Sequence, residues 1–471
     1  MPFKHTKIVC TIGPASQSLE TLIKLGTAGM DVARLNFSHG SHEEHAHAFR
    51  QIVNAGKRLG SPFGVLQDLQ GPKIRVGALS SEGINLIVGR RVVFSTAKKP
   101  MVGDIPVTLP TLHRYVNHKE RILLDDGLLE VEVQRVEGRR IITEIVRGGV
   151  LRAHKGLNFP GTSLPSLALS VKDRADARYG VRLGVDFVAL SFVRSSKDIQ
   201  RLRHWLDAQG SRGQATHIIA KIEKREAVER FEEIVPHCDG VMLARGDLGL
   251  EMSVERVPVI QKQLIAACRE RAIPVIVATH MLDSMQQHVR PTRAEVSDVA
   301  NAVADHADAV MLSGETAVGE FPVEAVQVMA QTICSMEQSV FDDLKTIEIF
   351  AFPRVAQAIG ASIRLLHDTL GKSSILIVTA SGRTAREVSA MRPDTCLFAY
   401  TFDPHVARVM RLIWGVEPHY AARKATPEQQ LAQALKELRA RKLIKIKEAV
   451  IAVSGSNVFP RKFSNMITLA A

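Results

Sequence analysis

The sequence predicts an α/β protein: a (β/α)8 TIM barrel with an inserted all-β lid domain and a C-terminal α/β domain. Three observations carry that reading. Eight apolar runs end in polar or charged residues, as strands of a parallel barrel with chemistry at its C-terminal face do. They are KIVCTIG from Lys7, DVARLNFS from Asp31, GVLQDLQG from Gly64, DFVALSF from Asp186, HIIAKIE from His217, GVMLARGD from Gly240, PVIVATHM from Pro274 and AVMLSGE from Ala309. Most recur at the spacing of a strand-turn-helix unit. The one long gap, between the third and fourth runs, has the period of an antiparallel sheet.

The elements follow in order. Ser41 and Glu44 form a capping box before a helix with Ala46, Phe49, Ile52 and Val53 at helical spacing. In the gap, Leu129, Val131 and Val133 alternate with Glu130, Glu132 and Gln134, and Glu137-Gly138 turns the chain into RIITEIV. The gap is therefore an all-β domain over 72–153, with hinges at Gly71-Pro72 and Gly156 to Gly161. A helix is expected over Val259–Arg271. The barrel occupies 1–71 and 154–336. A layered α/β domain over 337–471 has helices near Val355–Leu366, His405–Trp414 and Pro427–Arg441, and strands SILIVTA, CLFAYTF and AVIAVSG.

The 471 residues exceed one ordinary core. With 45% hydrophobic and 23% charged residues the chain has a globular composition. No apolar run reaches the roughly 18 residues of a membrane span. MPFKHTKIVC leads almost directly into a strand, which leaves no room for a signal peptide. Five scattered cysteines without a C-x-x-C pair suit reduced thiols, and a cytoplasmic location is expected. The net charge of +12 admits nucleic-acid binding or phosphate chemistry. Trp and Tyr total six and there is no basic tail, so specific nucleic-acid binding is disfavoured.

The strand tips hold the candidate chemistry. Glu223 and Asp247 close the fifth and sixth runs and suit Mg2+ or Mn2+, although each could be only an ion-pair partner, of Lys221 and Arg245. Lys221 shares a strand face with Glu223 and would either hold a transferring phosphoryl group or form a structural ion pair with Glu223. Arg34, Asn36 and Ser38 share a face, with Asp68 beside them. Arg34 and Arg75 can clamp phosphate, and Asn36, Ser38 and Asp68 can ligate a monovalent cation. Backbone amides at Gly246 and Asp247 can bind a carboxylate, and Thr279 and Ser313 can orient or relay a proton. His39, His42, His45 and His47 lack metal-site spacing; His39 falls in a loop and the others on different faces of a solvated helix. Thr379, Ser381, Gly382, Arg383 and Thr384 read as a phosphate nest or an ordinary turn.

Together TKIVCTIGPAS, ARLNFSHG, DLQGPKIR, DDGLLEV, KIE, VMLARGDLG, ATHMLDSM, RPTRAE, SDVANAV and VMLSGETA resemble the pyruvate kinase family over nearly the whole chain. The resemblance implies phosphoryl transfer from phosphoenolpyruvate to ADP, Mg2+ or Mn2+, and a homotetramer. It also implies control by a phosphorylated effector, which the loops Thr379 to Thr384 and Ser454-Gly455-Ser456 suggest is a sugar monophosphate or AMP. It implies metal ligation by Glu223 and Asp247 and charge stabilisation by Lys221 and Arg34. A carboxylate cradle falls to Gly246, Asp247 and Thr279, and enolate protonation to a path through Ser313. Thr11, Pro14, Asn36, His39 and Arg75 fall near the nucleotide. Asp126 of the DDG turn is expected to reach Arg34 when the lid closes. Three departures stand out. Lys73 and Leu69 replace residues of potassium-dependent members, so the Lys73 ammonium is expected to substitute for K+ in the corner of Asn36, Ser38 and Asp68. His280 is expected to add pH sensitivity, and no physical effect is assigned to Val296. A metal-dependent lyase would need no lid or TIGPAS segment, and a silent binding protein would have lost Lys221, Glu223 or Asp247.

Overall fold

The structure, a computed structural model, describes residues 3–162, 169–342, 354–371, 373–421, 426–445, 448–454 and 466–470. Eight parallel strands close into the expected barrel: β1 (Lys7–Thr11), β2 (Val32–Asn36), β3 (Gly64–Asp68), β4 (Phe187–Leu190), β5 (His217–Ile222), β6 (Gly240–Ala244), β7 (Val275–Ala278) and β8 (Ala309–Leu312). All but the tip of β2 and the start of β5 are buried along their length. That is why they read as continuous apolar runs. Register places the tips together: Asn36 pairs with Asp68, Asp68 with Ala189, and Lys221 with Met242.

Helix boundaries follow local chemistry. The Ser41 capping box is formed, and Gly60 ends the His42–Leu59 helix in a left-handed conformation. Helices at Val257–Glu270, Arg354–Leu370 and Pro427–Ala440 lie where expected. The stretch near His405–Trp414 is shorter, a helix at Pro404–Val409 and one 3-10 turn at Met410–Leu412.

The insertion forms a six-stranded sheet, including Leu129–Glu137 and Arg140–Arg147, and a two-stranded ribbon. Its sheet extends past Ala153, because Leu157–Asn158 pairs with Arg121–Leu124. Its neck packs against Phe192, Arg194 and Lys224 at the C-terminal ends of β4 and β5. A Cβ at Gly71, where φ is +68°, would approach Phe192 to 2.8 Å, so this close approach requires glycine. Asp125, Asp126 and Gly127 are all left-handed, and Gly127 lies against Leu250 beyond the tip of β6. The turn therefore rests on the Arg245–Glu251 helix, while the partners of Arg34 are Asp68 and Thr11.

The C-terminal domain carries five strands in the order Val416–Tyr420, Leu397–Thr401, Ser373–Val378, Ala449–Ser454 and Met466–Ala470. Only the last pairing is antiparallel. The domain seals the floor of the barrel. Leu412 enters the interior cluster of Val9, Leu66, Phe187, Met242 and Met311. The fully buried Lys7 ammonium donates to the Val416 carbonyl at 2.7 Å.

A second polar tie joins the domains at Asp186. It accepts from the Val65 amide, from Arg408 Nε at 2.9 Å and from His405 Nδ1 at 2.9 Å. His405 Nε2 lies 3.0 Å from the Ala215 carbonyl, so both ring nitrogens face acceptors and the ring is held as imidazolium. Burial opposes that charge, but the Asp186 bond outweighs it and raises the His405 pKa. Its contribution to stability is therefore present below the unfolded imidazole pKa, about 6.5, and is lost as pH rises through the higher folded value. The melting temperature of His405→Gln should fall further below wild type near pH 6 than near pH 9. An equal gap at both would contradict this ion pair.

Candidate active site

Four charged side chains from three strands meet inside the barrel mouth. Asp68, at the tip of β3, is 1% exposed. Its Oδ2 accepts from Arg34 Nε at 2.8 Å and lies 2.7 Å from Nη2. Its Oδ1 lies 3.1 Å from Lys221 Nζ. Lys221 also reaches Glu223 Oε1 at 2.8 Å and donates to Ser191 Oγ at 2.8 Å. Burial would raise the Asp68 pKa, but Lys221 and Arg34 hold it below the usual range. Burial likewise opposes the Lys221 charge, and Asp68 and Glu223 outweigh it to raise its pKa. Lys221 is thus a fixed cation, unable to act as a base near neutral pH. Thr11 Oγ1 accepts from Arg34 Nη1 at 2.8 Å and donates to the Leu312 carbonyl, which fixes the guanidinium from the other side.

Glu223 is buried, and its Oε2 accepts from the Phe192 amide at 2.7 Å. Burial, reinforced by the Asp247 charge, raises its pKa despite Lys221. Two carboxylates close enough to repel each other are suited to sharing a divalent cation. Among the described residues no group of three or more His, Cys, Asp or Glu side chains could hold a metal. Glu223 and Asp247 would therefore need oxygens from substrate or water, and that combination suits Mg2+ or Mn2+. Asp247 lies in the first turn of the Arg245–Glu251 helix. Arg245 bonds Asp298 and the Thr279 carbonyl, each at 2.7 Å, so it anchors the helix and is not spent on Asp247. The buried Lys224–Glu251 pair ties the far end of that helix to the strand bearing Glu223.

Beyond β7 the backbone is strained. Thr279 and His280 are consecutive non-glycine residues with φ of 68° and 53°. For a β-branched residue this is an outlier, and such strain gathers at functional sites. It brings Thr279 Oγ1 to the Gly246 amide, which donates to it at 2.8 Å, while the hydroxyl donates to the Ala278 carbonyl at 2.6 Å. The Gly246 amide is thus engaged by Thr279 in this arrangement. His280 is exposed beside Gly246. Ser313, just past β8, is half-buried.

On the opposite side, Asn36 Oδ1 accepts from the Ser38 amide at 3.2 Å. His39 and Pro14 are exposed at the rim. Burial lowers the His39 pKa, and the charges of Arg75, Lys73 and Arg34 lower it further. The charges of Arg75, Lys73 and Arg34 thus all act on His39. Arg75 Nη1 donates to the His154 carbonyl at 3.0 Å, and the Lys73 side chain lies along Gly156. The histidine run is no metal cluster. His42 bonds Asp176 at 2.8 Å and stacks on Tyr179, whereas His45 is buried, stacks on Phe37 and bonds the His39 carbonyl at 2.9 Å. The helix histidines do lie on different faces, but His45 is buried rather than solvated, because Phe37 offers it an aromatic face.

The sequence pattern of the pyruvate kinase barrel domain matches residues 3–326, and that of the pyruvate kinase alpha/beta domain matches residues 357–470. The chain belongs to the pyruvate kinase family. It is 43% identical to pyruvate kinase of Geobacillus stearothermophilus over 98% of this chain and 80% of that one. It is 41% identical to pyruvate kinase 2 of Synechocystis over 96% and 77%. It is 40% identical to pyruvate kinase of Mycobacterium tuberculosis over 96% and 95%. Members of this family are phosphotransferases, and this chain is one.

Away from the mouth, Thr379 Oγ1 accepts from the Gly382 amide at 3.0 Å, and Arg383 opens the Arg383–Ala390 helix with Thr384 in its first turn. Ser381, Gly382 and Arg383 line a cavity of about 210 Å³ shared with His217 and Asp239 of the barrel floor. Of the second loop expected there, Ser454 is buried, while Gly455 and Ser456 lie outside the described residues. Val296 is half-buried in the Arg293–Ala304 helix, and nothing in the structure explains it.

Sequence reasoning missed Glu315. It is 1% exposed and accepts from the Leu282 amide at 3.1 Å and the Ser313 amide at 2.7 Å. One carboxylate thus joins the loops carrying Thr279 and Ser313. Burial raises its pKa. The signal was present in SGETA, an acid three residues past a strand end, but one of its partners, the Leu282 amide, comes from a separate loop. Glu315→Ala strands two buried donors at about 1–3 kcal/mol each. It should lower kcat more than it raises KM and lower the melting temperature. Unchanged kcat and stability would contradict this role.

Proposed function

We propose that this chain transfers the phosphoryl group of phosphoenolpyruvate to ADP, giving pyruvate and ATP. The observation carrying the reading is the buried Arg34–Asp68–Lys221–Glu223 network. It presents two fixed cations, already oriented, toward a mouth ringed by Thr279, Asp247 and His39.

Arg34 and Lys221 neutralise charge on the moving phosphoryl group. Because both are held by Asp68, little reorganisation accompanies transfer. Glu223 and Asp247 would hold the divalent cation, which when bound supplies Lewis-acid stabilisation of negative oxygens. Thr279 and the Asp247 amide orient the substrate carboxylate, joined by the Gly246 amide once Thr279 Oγ1 turns from it to the substrate, and the nucleotide lies along Thr11, Pro14, Asn36, His39 and Arg75. Ser313 belongs to the path that brings a proton to the enolate carbon. The inserted sheet, resting on Leu250, closes over the site and excludes water, which would otherwise accept the phosphoryl group.

Potassium is not required in this reading. Both Asp68 oxygens already face fixed cations, and Lys73 adds charge to the same corner as Arg34 and Arg75. A charge about 4 Å from an anion is worth about 4 kcal/mol at intermediate dielectric, enough to stand in for a bound ion. The enzyme works as a homotetramer in the cytoplasm, and a phosphorylated effector, a sugar monophosphate or AMP, binds the loop of Thr379, Ser381, Gly382, Arg383 and Thr384. Among the described residues no helix is long and apolar enough to cross a membrane.

A coupled assay of pyruvate from phosphoenolpyruvate and ADP tests the reading. Turnover should need Mg2+ or Mn2+ and be nearly unchanged when K+ is replaced by tetramethylammonium. Lys221→Met should lower turnover roughly 100–1,000-fold while leaving metal-dependent enolisation of pyruvate. No turnover in the wild type overturns the assignment, and strict K+ dependence overturns the role of Lys73.

A further inference from the structure

Two residues past the end of β4 the backbone turns into the left-handed region. Phe192 has a φ of 57°, a genuine outlier for so bulky a side chain. The turn aims its amide at Glu223, whose Oε2 accepts from it at 2.7 Å. The other oxygen, Oε1, faces Lys221 at 2.8 Å. With one partner on each oxygen, the plane of the Glu223 carboxylate is fixed.

Strain of this kind persists only where neighbours over-determine it, and the Phe192 ring supplies those neighbours. It is half-buried against the lid hinge, where a Cβ at Gly71 would come within 2.8 Å of Cδ2. The Lys224 ammonium lies 5.6 Å from the ring centroid, within cation–π reach. Both neighbours are themselves anchored. The Gly71 amide donates at 3.0 Å to Asp173 Oδ1, a buried carboxylate of the Val171–Leu183 helix. Lys224 is paired with Glu251, in the helix that bears Asp247. The preceding residue is held as well: Ser191 Oγ accepts from Lys221 at 2.8 Å and donates to the Leu69 carbonyl at 2.7 Å.

We propose that Phe192 is a positioning residue for the divalent cation. Its ring, held by the lid hinge and Lys224, pins a left-handed backbone whose amide orients Glu223. This rests on the reading that Glu223 ligates the cation. Groups that hold a metal's carboxylate in place govern affinity nearly as the ligand itself does. One side chain thus serves both the hinge of the inserted domain and the acid that meets the metal, so a displacement at Gly71 reaches Glu223 through Phe192.

The test uses the full-length chain and reads Mn2+ binding without substrates, from the electron paramagnetic resonance of free Mn2+. Glu223→Gln should lose most of this binding; unchanged binding there overturns the metal reading and this proposal with it. With that established, Phe192→Ala should weaken Mn2+ affinity by about tenfold or more, because alanine bears the left-handed cost with no ring to hold it. Phe192→Gly loses the same ring but bears no such cost, so it should bind Mn2+ more tightly than Phe192→Ala. A ring that served packing alone would give the reverse order or none, since glycine adds chain freedom that must be lost. Equal or weaker binding by Phe192→Gly therefore overturns the proposal. Gly71→Ala changes no group facing the cation, yet its Cβ would press on Phe192 at 2.8 Å and on Ser191 at 2.9 Å. It should also weaken Mn2+ binding, and it carries the test if Phe192→Ala fails to fold. A folded Gly71→Ala protein with wild-type Mn2+ affinity overturns the proposal.

Discussion

A buried carboxylate that must be paired organises this molecule. Asp68 sits at the tip of an apolar strand, and leaving its charge uncompensated there would cost several kcal/mol. Arg34 and Lys221, reaching in from strands on either side, satisfy it. In doing so they lose their freedom: Arg34 is fixed in plane, and Lys221 is held as a permanent cation between Asp68 and Glu223. The chemistry assigned to the site needs two positive groups that do not move when charge shifts, and Asp68 supplies that rigidity.

Other buried ties extend the same constraint outward. Lys224–Glu251 and Arg245–Asp298 fasten the helix bearing Gly246 and Asp247. Glu315 joins the loops after β7 and β8. The strain at Thr279 and His280 persists because these neighbours determine the backbone path around it. On the far side of the barrel, Leu412 and Asp186 fasten the C-terminal domain to the floor, so the strands are supported at both ends.

Much of this is legible in the sequence because parallel strands leave a simple trace. One apolar body followed by Lys221 and Glu223, or by Arg245 and Asp247, says little, but eight such runs in series fit a barrel with a charged mouth and little else. The all-β insertion is visible through the alternation around Val131. What escapes are pairings between distant segments. The sequence places Asp68 in an oxygen-rich corner beside Arg34 but gives no sign that Arg34 and Lys221 engage both of its oxygens. The strand Val416–Tyr420 is hidden because Glu417, Pro418 and His419 break the apolar pattern. It is tolerated at the edge of its sheet, where Pro418 forfeits no needed hydrogen bond. Leu412 gives no sign that it plugs the barrel, since one leucine near a helix end looks like any other.

The account turns on whether Glu223 and Asp247 close on one divalent ion beside Lys221. Crystals grown with Mn2+ and a phosphoenolpyruvate analogue, measured at the manganese edge, address this directly. The account predicts a single anomalous peak within about 2.0–2.3 Å of an oxygen from each carboxylate, with Lys221 Nζ facing the analogue's phosphoryl position. A peak bound elsewhere, or a site in which those two carboxylates face apart with no ion between them, would contradict it.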